Sequence, residues 1–517
     1  MRVLACLVAC AAISQAQSAV DSAKYLERVR VLSGENMRGR GTGSPELEKA
    51  ARYLAAEFKR IGLQPAFAEG HKKSYLQPFE VSLNARLGPG CEFAVNEGSG
   101  FRDLTLYRDF LPFTFSGAGK VEGNAVFAGY GITAHEYGYD DYAGLDVQGK
   151  VVVILRHEPQ EYDSRSVFDG RVYTEHSQLL SKVRNARLHG ASGVVFVNDM
   201  GNHSGEDNLE RFHRYVSPED AGVPFVHVKS EIVEKWVAAA GRDLKQLQTL
   251  IDRDLTPQSF ALPESLKLRI HVPIERERRV VHNVAAYLPG TSNEFIIIGA
   301  HYDHLGMGLQ YSLSPSEAGK THPGADDNAS GTAGLVALAE SLSEVKQRRR
   351  GVLFLAFAGE EIGLLGSSHY VQNPLLPNRQ AIAMINMDMI GRIREGKVYV
   401  GGTGTGDNLR QMLSKATEGS GFDFDYSETA GYGSSDHTSF TTQEIPVLFF
   451  FSGLHEDYHR PTDRWEKINA PGAAQLLDVI GKLVVALSEA PERTHYVRAK
   501  PRLPTSMPVA GEGTHLH

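Results

Sequence analysis

The sequence predicts an α/β protein in which a mostly parallel mixed sheet is sandwiched by helices and a smaller α/β module is inserted. Three observations predict it. From residue 280 onward, strand-like apolar runs alternate with helical patterns, the order that covers a parallel sheet on both faces. Between about 120 and 260 the texture changes to short β-rich runs such as Asn124–Phe127, Lys150–Leu155 and Gly193–Val197, with helical patterns near 177–189 and 230–250. The 517 residues, 42% of them hydrophobic, exceed one ordinary domain and can bury a large core.

The elements follow in order. Ser44 is placed to cap a helix, with Pro45 in its first turn, Leu47, Ala51, Leu54, Phe58 and Ile61 at helical spacing, and Gly62 to close it. Residues 65–118 are short mixed runs punctuated by Gly and Asn, and read as strands and loops. In the next module, Tyr137-Gly138-Tyr139-Asp140-Asp141-Tyr142 reads as a structured loop between strands. Beyond 280 the expected strands are Glu294–Ile298, Gly351–Ala358, Ala381–Ile385, Lys397–Val400 and Ile445–Phe451. Helices are expected near 329–345, 363–372, 407–418 and 472–488. Ligands in such folds gather at the carboxyl ends of the strands.

Charge and cysteine usage narrow the function. Lys and Arg number 54 against 62 Asp and Glu, a net charge of −8 with no basic run beyond Arg348-Arg349-Arg350, so the electrostatic footprint of a nucleic-acid binder is missing. The opening Met1–Ala16, with one Arg, an apolar run and a small-x-small close, reads as a signal peptide ending near residue 19, which implies a periplasmic or secreted protein. Leu7-Val8-Ala9-Cys10 also resembles a lipoprotein box, but the apolar run before it is short. Of the three cysteines at 6, 10 and 91, only Cys91 would survive cleavage, so no intrachain disulfide is available. No later stretch reads as a run of about 20 apolar residues long enough for a membrane span.

The chemistry sits at strand exits. His301 and Asp303 follow one apolar strand, a pairing that suits a metal-ligating imidazole with a carboxylate to orient it. Asp326 precedes a helix, where an aspartate is ordinarily a cap. Glu360 and Glu361 leave a buried strand between apolar neighbours, and two such carboxylates are costly to bury unless one holds a cation and the other handles a proton. Asp388 interrupts another apolar run, and His455 and His459 share a loop in which spacing cannot choose between them. Five strand exits thus deliver His, Asp or Glu to one sheet edge. Imidazole with carboxylate and no thiolate suits Zn(II), with Mn(II) or Co(II) as alternatives, and the number of ligands suits two ions.

The wording of these motifs is specific: Gly299-Ala300-His301-Tyr302-Asp303, Gly324-Ala325-Asp326-Asp327-Asn328, Gly359-Glu360-Glu361-Ile362-Gly363, Asn386-Met387-Asp388-Met389 and Tyr458-His459-Arg460-Pro461. It resembles the dizinc exopeptidase family M28, which includes bacterial leucyl aminopeptidases, glutamate carboxypeptidases and glutaminyl cyclases. Phe127-Ala128-Gly129-Tyr130-Gly131 and the stretch from Tyr142 to Lys150 resemble the protease-associated (PA) domain inserted in many members. The implied organisation is a signal peptide over 1–19, a catalytic domain over 20–118 and 262–492, the PA domain over 119–261 and a tail over 493–517. The resemblance implies that His301 and Asp388 hold one zinc, that Glu361 and His459 hold the other, and that Asp326 bridges them. It further implies Asp303 as the partner of His301, Glu360 as the general base acting on a metal-bridging water, Tyr432 as a group that polarises the scissile carbonyl, and a cis peptide at Asp326–Asp327.

Rival readings fare worse. A homologue that binds without catalysis would lack ligands, and Gly433-Ser434-Ser435-Asp436 is not a serine-hydrolase nucleophile elbow. The glycine-rich Gly401–Gly406 turn fails the dinucleotide spacing. Glutaminyl cyclases of the family use one zinc and usually lack the insertion. Removal of amino-terminal residues from peptides is the preferred reading, with carboxypeptidase or dipeptidase action as the alternative; the sequence is silent on oligomeric state.

Overall fold

The computed structural model describes residues 19–498 apart from 70–71, 135–136, 169, 171–172, 204, 206, 211, 213–219, 432 and 434. The predicted signal peptide up to residue 18, most of the tail and Tyr432 therefore lie outside the described residues. The chain divides into two compact units, one formed by residues 1–81 and 279–517 and the other by 82–278.

In the first unit a mixed sheet carries four parallel neighbours in the order Gly351–Phe357, Phe295–His301, Ala381–Met387 and Val447–Phe451. Ile274–Leu288 and Lys397–Gly401 run antiparallel beside the two outer members. Almost every residue of the four central strands is buried, as continuous Val, Ile, Leu and Phe runs require when helices cover both faces. The helix over Pro45–Ile61 forms as its signals predict: Ser44 Oγ accepts the Leu47 N–H at 3.1 Å, and Gly62 ends it at φ +89°, a left-handed turn that favours glycine. The helices Gly331–Ser343, Leu365–Gln372 and Leu409–Thr417 fall where the periodicity puts them.

The helix Ala470–Glu489 corrects the sequence reading, because among the described residues it alone is long and apolar enough to cross a membrane. Its Leu476, Leu477, Ile480, Leu483, Val484 and Leu487 are buried, and it packs on the helices Ser22–Leu32 and Gly331–Ser343. A helix with neighbours on both sides is apolar around most of its circumference without a lipid phase.

The second unit has its own sheet, with Gly119–Phe127, Val151–Leu155, Gly193–Val197 and Phe225–Val228 as parallel neighbours. Here the expected boundary at 118/119 gives way. Phe110–Pro112 pairs antiparallel with Phe225–Val228, and Glu92–Glu97 pairs with Leu266–Val272, so residues 82–118 and 262–278 complete this sheet rather than the first. Strands this short have too few residues to show a period, which is why the sequence does not assign them. The pattern near 230–250 resolves into two helices, Ser230–Ala239 and Leu244–Asp254. The Tyr137–Tyr142 stretch, expected to be a loop between strands, itself contains one: Tyr139–Asp140 pairs antiparallel with Thr133–Ala134, and Asp141 beyond it accepts the Tyr139 hydroxyl at 2.7 Å and the Ile132 N–H at 3.1 Å. Cys91 is a free, half-buried thiol whose pKa burial pushes up to about 12, which keeps it unreactive.

Candidate metal centre

The carboxyl ends of the four parallel strands of the first unit converge on one cluster. His301 is the last residue of its strand, and its Nε2 lies 3.1 Å from Asp388 Oδ1, which follows the adjacent strand. His459, beyond the Val447–Phe451 strand, places Nε2 3.1 Å from Glu361 Oε2. Asp327 lies between the two pairs, with Oδ1 3.4 Å from His301 Nε2 and Oδ2 3.2 Å from His459 Nε2. Glu360 Oε2 is 3.8 Å from His301 Nε2. The loop ambiguity resolves in favour of His459, because His455 Nε2 points instead to Asp326 Oδ2 at 3.1 Å.

Asp326, expected to bridge, is not part of this cluster. Its Oδ1 accepts the Gly391 N–H at 2.7 Å and its Oδ2 faces His455, so it holds the loop after Asp388 while its neighbour Asp327 takes the central place. Both Asp326 and Asp327 donate their backbone N–H groups to the Asp463 carboxylate at 3.0–3.1 Å, which fixes the turn so that the two side chains diverge. The cis peptide likewise lies one bond later than expected, at Asp327–Asn328.

Supporting groups hold each side chain. Asp303 sits behind His301, with Oδ1 3.8 Å from Nδ1 and its carbonyl at 3.3 Å, and it accepts the Thr42 hydroxyl at 2.8 Å. The Nδ1 of His459 lies 2.9 Å from the Tyr311 carbonyl; donation of the N–H there leaves Nε2 as the free lone pair. Ser435 donates to Asp388 Oδ2 at 2.8 Å and accepts from Asn386 at 2.8 Å. Two further side chains hold the site: His304, which stands beside His301 in the sequence, and Arg40, which no local pattern marks. His304 Nδ1 lies 2.6 Å from Glu361 Oε1 and fixes that carboxylate. Arg40, fully buried, donates to the carbonyls of Leu32, Tyr302, Pro323 and Gly324 at 2.5–2.9 Å and ties together the loops that carry His301 and Asp327.

The electrostatics are those of crowded, dehydrated acids. Burial, reinforced by the charges of Asp388 and Glu361, pushes the Glu360 carboxyl well above the usual range, although His301 opposes it. Burial alone would raise Glu361 too, but His304 and His459 pull it well below the ordinary value. Burial would lower His459, yet Asp327 and Glu361 raise it to about 10. Asp327 is raised by burial and by Glu361. Four carboxylates in one dry site call for cationic charge. The donor set fits zinc: two imidazoles and carboxylates with no thiolate, and ligand atoms 3.1–3.4 Å apart. Ligands about 2.0–2.1 Å from a tetrahedral ion stand about 3.3 Å from one another.

A mixed-sheet α/β fold with acids and imidazoles gathered at its strand ends defines a metal-dependent hydrolase. Residues 283–484 match Peptidase family M28, and residues 119–236 match the PA domain. Over these two stretches the matches support an M28 peptidase with an inserted PA domain. It is 26% identical over 392 residues to Aminopeptidase YwaD of Bacillus subtilis, covering 72% of each chain. It is 31% identical over 216 residues to a probable leucine aminopeptidase of Arthroderma otae, covering 40% of this chain and 56% of that one. The solved aminopeptidase from Aneurinibacillus sp. strain AM-1 shares the fold, with a TM-score of 0.51 at 23% identity and coverage of 93% and 97%.

Proposed function

We propose that this chain is a zinc-dependent aminopeptidase that removes amino-terminal residues from peptides, as the names of its Bacillus and Arthroderma relatives suggest. The observation that carries the reading is the placement of Asp327, one oxygen toward His301 and the other toward His459, with Glu360 beside them. His301 and Asp388 would hold one zinc and Glu361 and His459 the other, with Asp327 shared between them. Bound there, the two ions supply Lewis acidity to a carbonyl and to water.

The side chains do the rest. Glu360 Oε2 is the base: it takes a proton from the attacking water and returns it to the departing amine nitrogen. Its place 3.8 Å from His301 Nε2, beside the groups that would hold the metal, puts it within reach for both halves of that exchange. Asp303 holds His301 in place, and Tyr432 is the proposed carbonyl-polarising group. The opening segment Met1–Ala16 supports export to the periplasm or the exterior.

Incubating the zinc-loaded protein with one peptide blocked at its amino end and one blocked at its carboxyl end tests the direction of cleavage. The amino block is expected to stop release. Release from the amino-blocked peptide alone would make the enzyme a carboxypeptidase.

A further inference from the structure

In the second unit, the two segments that leave the carboxyl ends of the adjacent parallel strands Val151–Leu155 and Gly193–Val197 bring a separate set of donors together. Each segment contributes two residues four apart, His157 with Glu161 and Asp199 with His203. Their donor atoms all lie within 4.8 Å of one another. His157 Nδ1 is 3.0 Å from Asp199 Oδ2 and 3.4 Å from Glu161 Oε2, while His203 Nε2 is 2.6 Å from Glu161 Oε1 and 3.8 Å from Asp199 Oδ2.

Two features distinguish this set from ordinary ion pairs. The Asp199 and Glu161 side chains are 0% and 1% exposed, and two carboxylates so deeply buried call for positive charge beside them, which a dication would supply. Glu161 Oε1 and His203 Nε2, despite their closeness, make no hydrogen bond with one another or with any other described group. Their lone pairs are aimed elsewhere, as those of two ligands facing a common ion would be. Tyr173 supports the arrangement: it donates to Glu161 Oε2 at 3.2 Å and its ring stacks on His157 at 5.0 Å. A cavity of about 430 Å³, lined by His157, Asp199 and His203, gives solvent and ions a route in.

We propose that His157, Glu161, Asp199 and His203 form a divalent-cation site in the PA-domain unit, independent of the peptidase centre and sharing no residue with it. Two imidazole nitrogens and two carboxylate oxygens are a zinc donor set; calcium would want oxygen throughout. The ion would tie together the loops after two neighbouring strands and add its binding free energy to the stability of this unit.

The test counts zinc on the full chain, stripped with chelator and dialysed to equilibrium against buffered free zinc. The wild type is expected to hold three ions. His203→Gln, at a side chain 40% exposed and so tolerant of change, is expected to hold two and to weaken the third site by more than ~100-fold, since even groups behind the ligands are worth ~10–100-fold. Asp327→Asn, which damages the peptidase centre, is expected to keep the His203-dependent ion, and in that variant zinc is expected to raise the thermal midpoint of the unit containing Trp236. His157→Gln serves as the second variant should His203→Gln fold poorly. A wild-type count of two at saturating zinc overturns the proposal, and so does a third ion bound with unchanged affinity by both ligand variants; the cluster would then be protonated imidazoles paired with carboxylates.

Discussion

Asp303 Oδ1 accepts the backbone N–H of Glu360 at 3.1 Å, and Asp303 Oδ2 accepts that of Glu361 at 3.4 Å, so the carboxylate that sits behind His301 also fixes the turn carrying both acids. One buried side chain therefore sets the position of a metal ligand on one strand and of the base on the next. Asp303→Asn is expected to lower zinc affinity by ~10–100-fold and to reduce kcat as well, because the amide presents an N–H where an acceptor is needed. Competition dialysis against a zinc chelator, with rates measured at saturating metal, separates the two effects.

Glu360→Gln removes the proton acceptor while leaving His301, Asp327, Glu361, Asp388 and His459 untouched. Two zinc ions at the peptidase centre should remain, and kcat should fall by at least ~10²–10⁴-fold with little change in KM. Full turnover in this variant would rule out Glu360 as the base.

Arg40 shows how much of the centre is held from outside it. Replacing it with Met strands four buried carbonyls, and the chain is expected to lose about 3–5 kcal/mol on urea unfolding. Arg40→Lys should recover little of this, since one ammonium cannot reproduce the planar fork that reaches carbonyls in different directions.

The PA-domain unit should weaken in acid through His227. Burial, with help from the nearby Arg156, pulls the pKa of its ring from 6.5 down to about 3, and the neutral Nδ1 accepts the Glu210 N–H at 2.9 Å. A base depressed on folding is protonated more readily in the unfolded chain, so between pH 6.5 and 3 the unfolded state binds more protons and stability falls as pH falls. Above 6.5 the effect is flat. The full window is worth about 5 kcal/mol at ~1.4 kcal/mol per pKa unit. The urea midpoint at pH 7 and at pH 5, followed by the fluorescence of Trp236, should differ more for the wild type than for His227→Gln.

Much of this was legible in the sequence because the signals were local. A cap, a helical stripe and a closing glycine define Pro45–Ile61, and a carboxylate that interrupts an apolar strand, as at Glu361 or Asp388, marks a place where burial needs a cation. What stayed hidden depends on direction or distance. Asp326 and Asp327 are neighbours in an irregular turn, and no spacing tells which side chain faces in; the Asp463 carboxylate that sets the turn lies more than 130 residues away. Arg40 makes its key bonds across more than 260 residues. His304 was visible beside His301, but its role depends on Glu361, which arrives on another strand. Glu92–Glu97 and Phe110–Pro112 pair with segments more than a hundred residues further on, and they are too short to carry a pattern of their own.

The most direct measurement is zinc-edge anomalous diffraction from crystals of the metal-loaded protein. Two peaks are expected in the first unit, one touching His301 and Asp388, the other Glu361 and His459, with an oxygen of Asp327 on each. Peaks held by Asp326 and His455 instead, or Asp327 out of reach of either ion, would contradict that assignment of ligands.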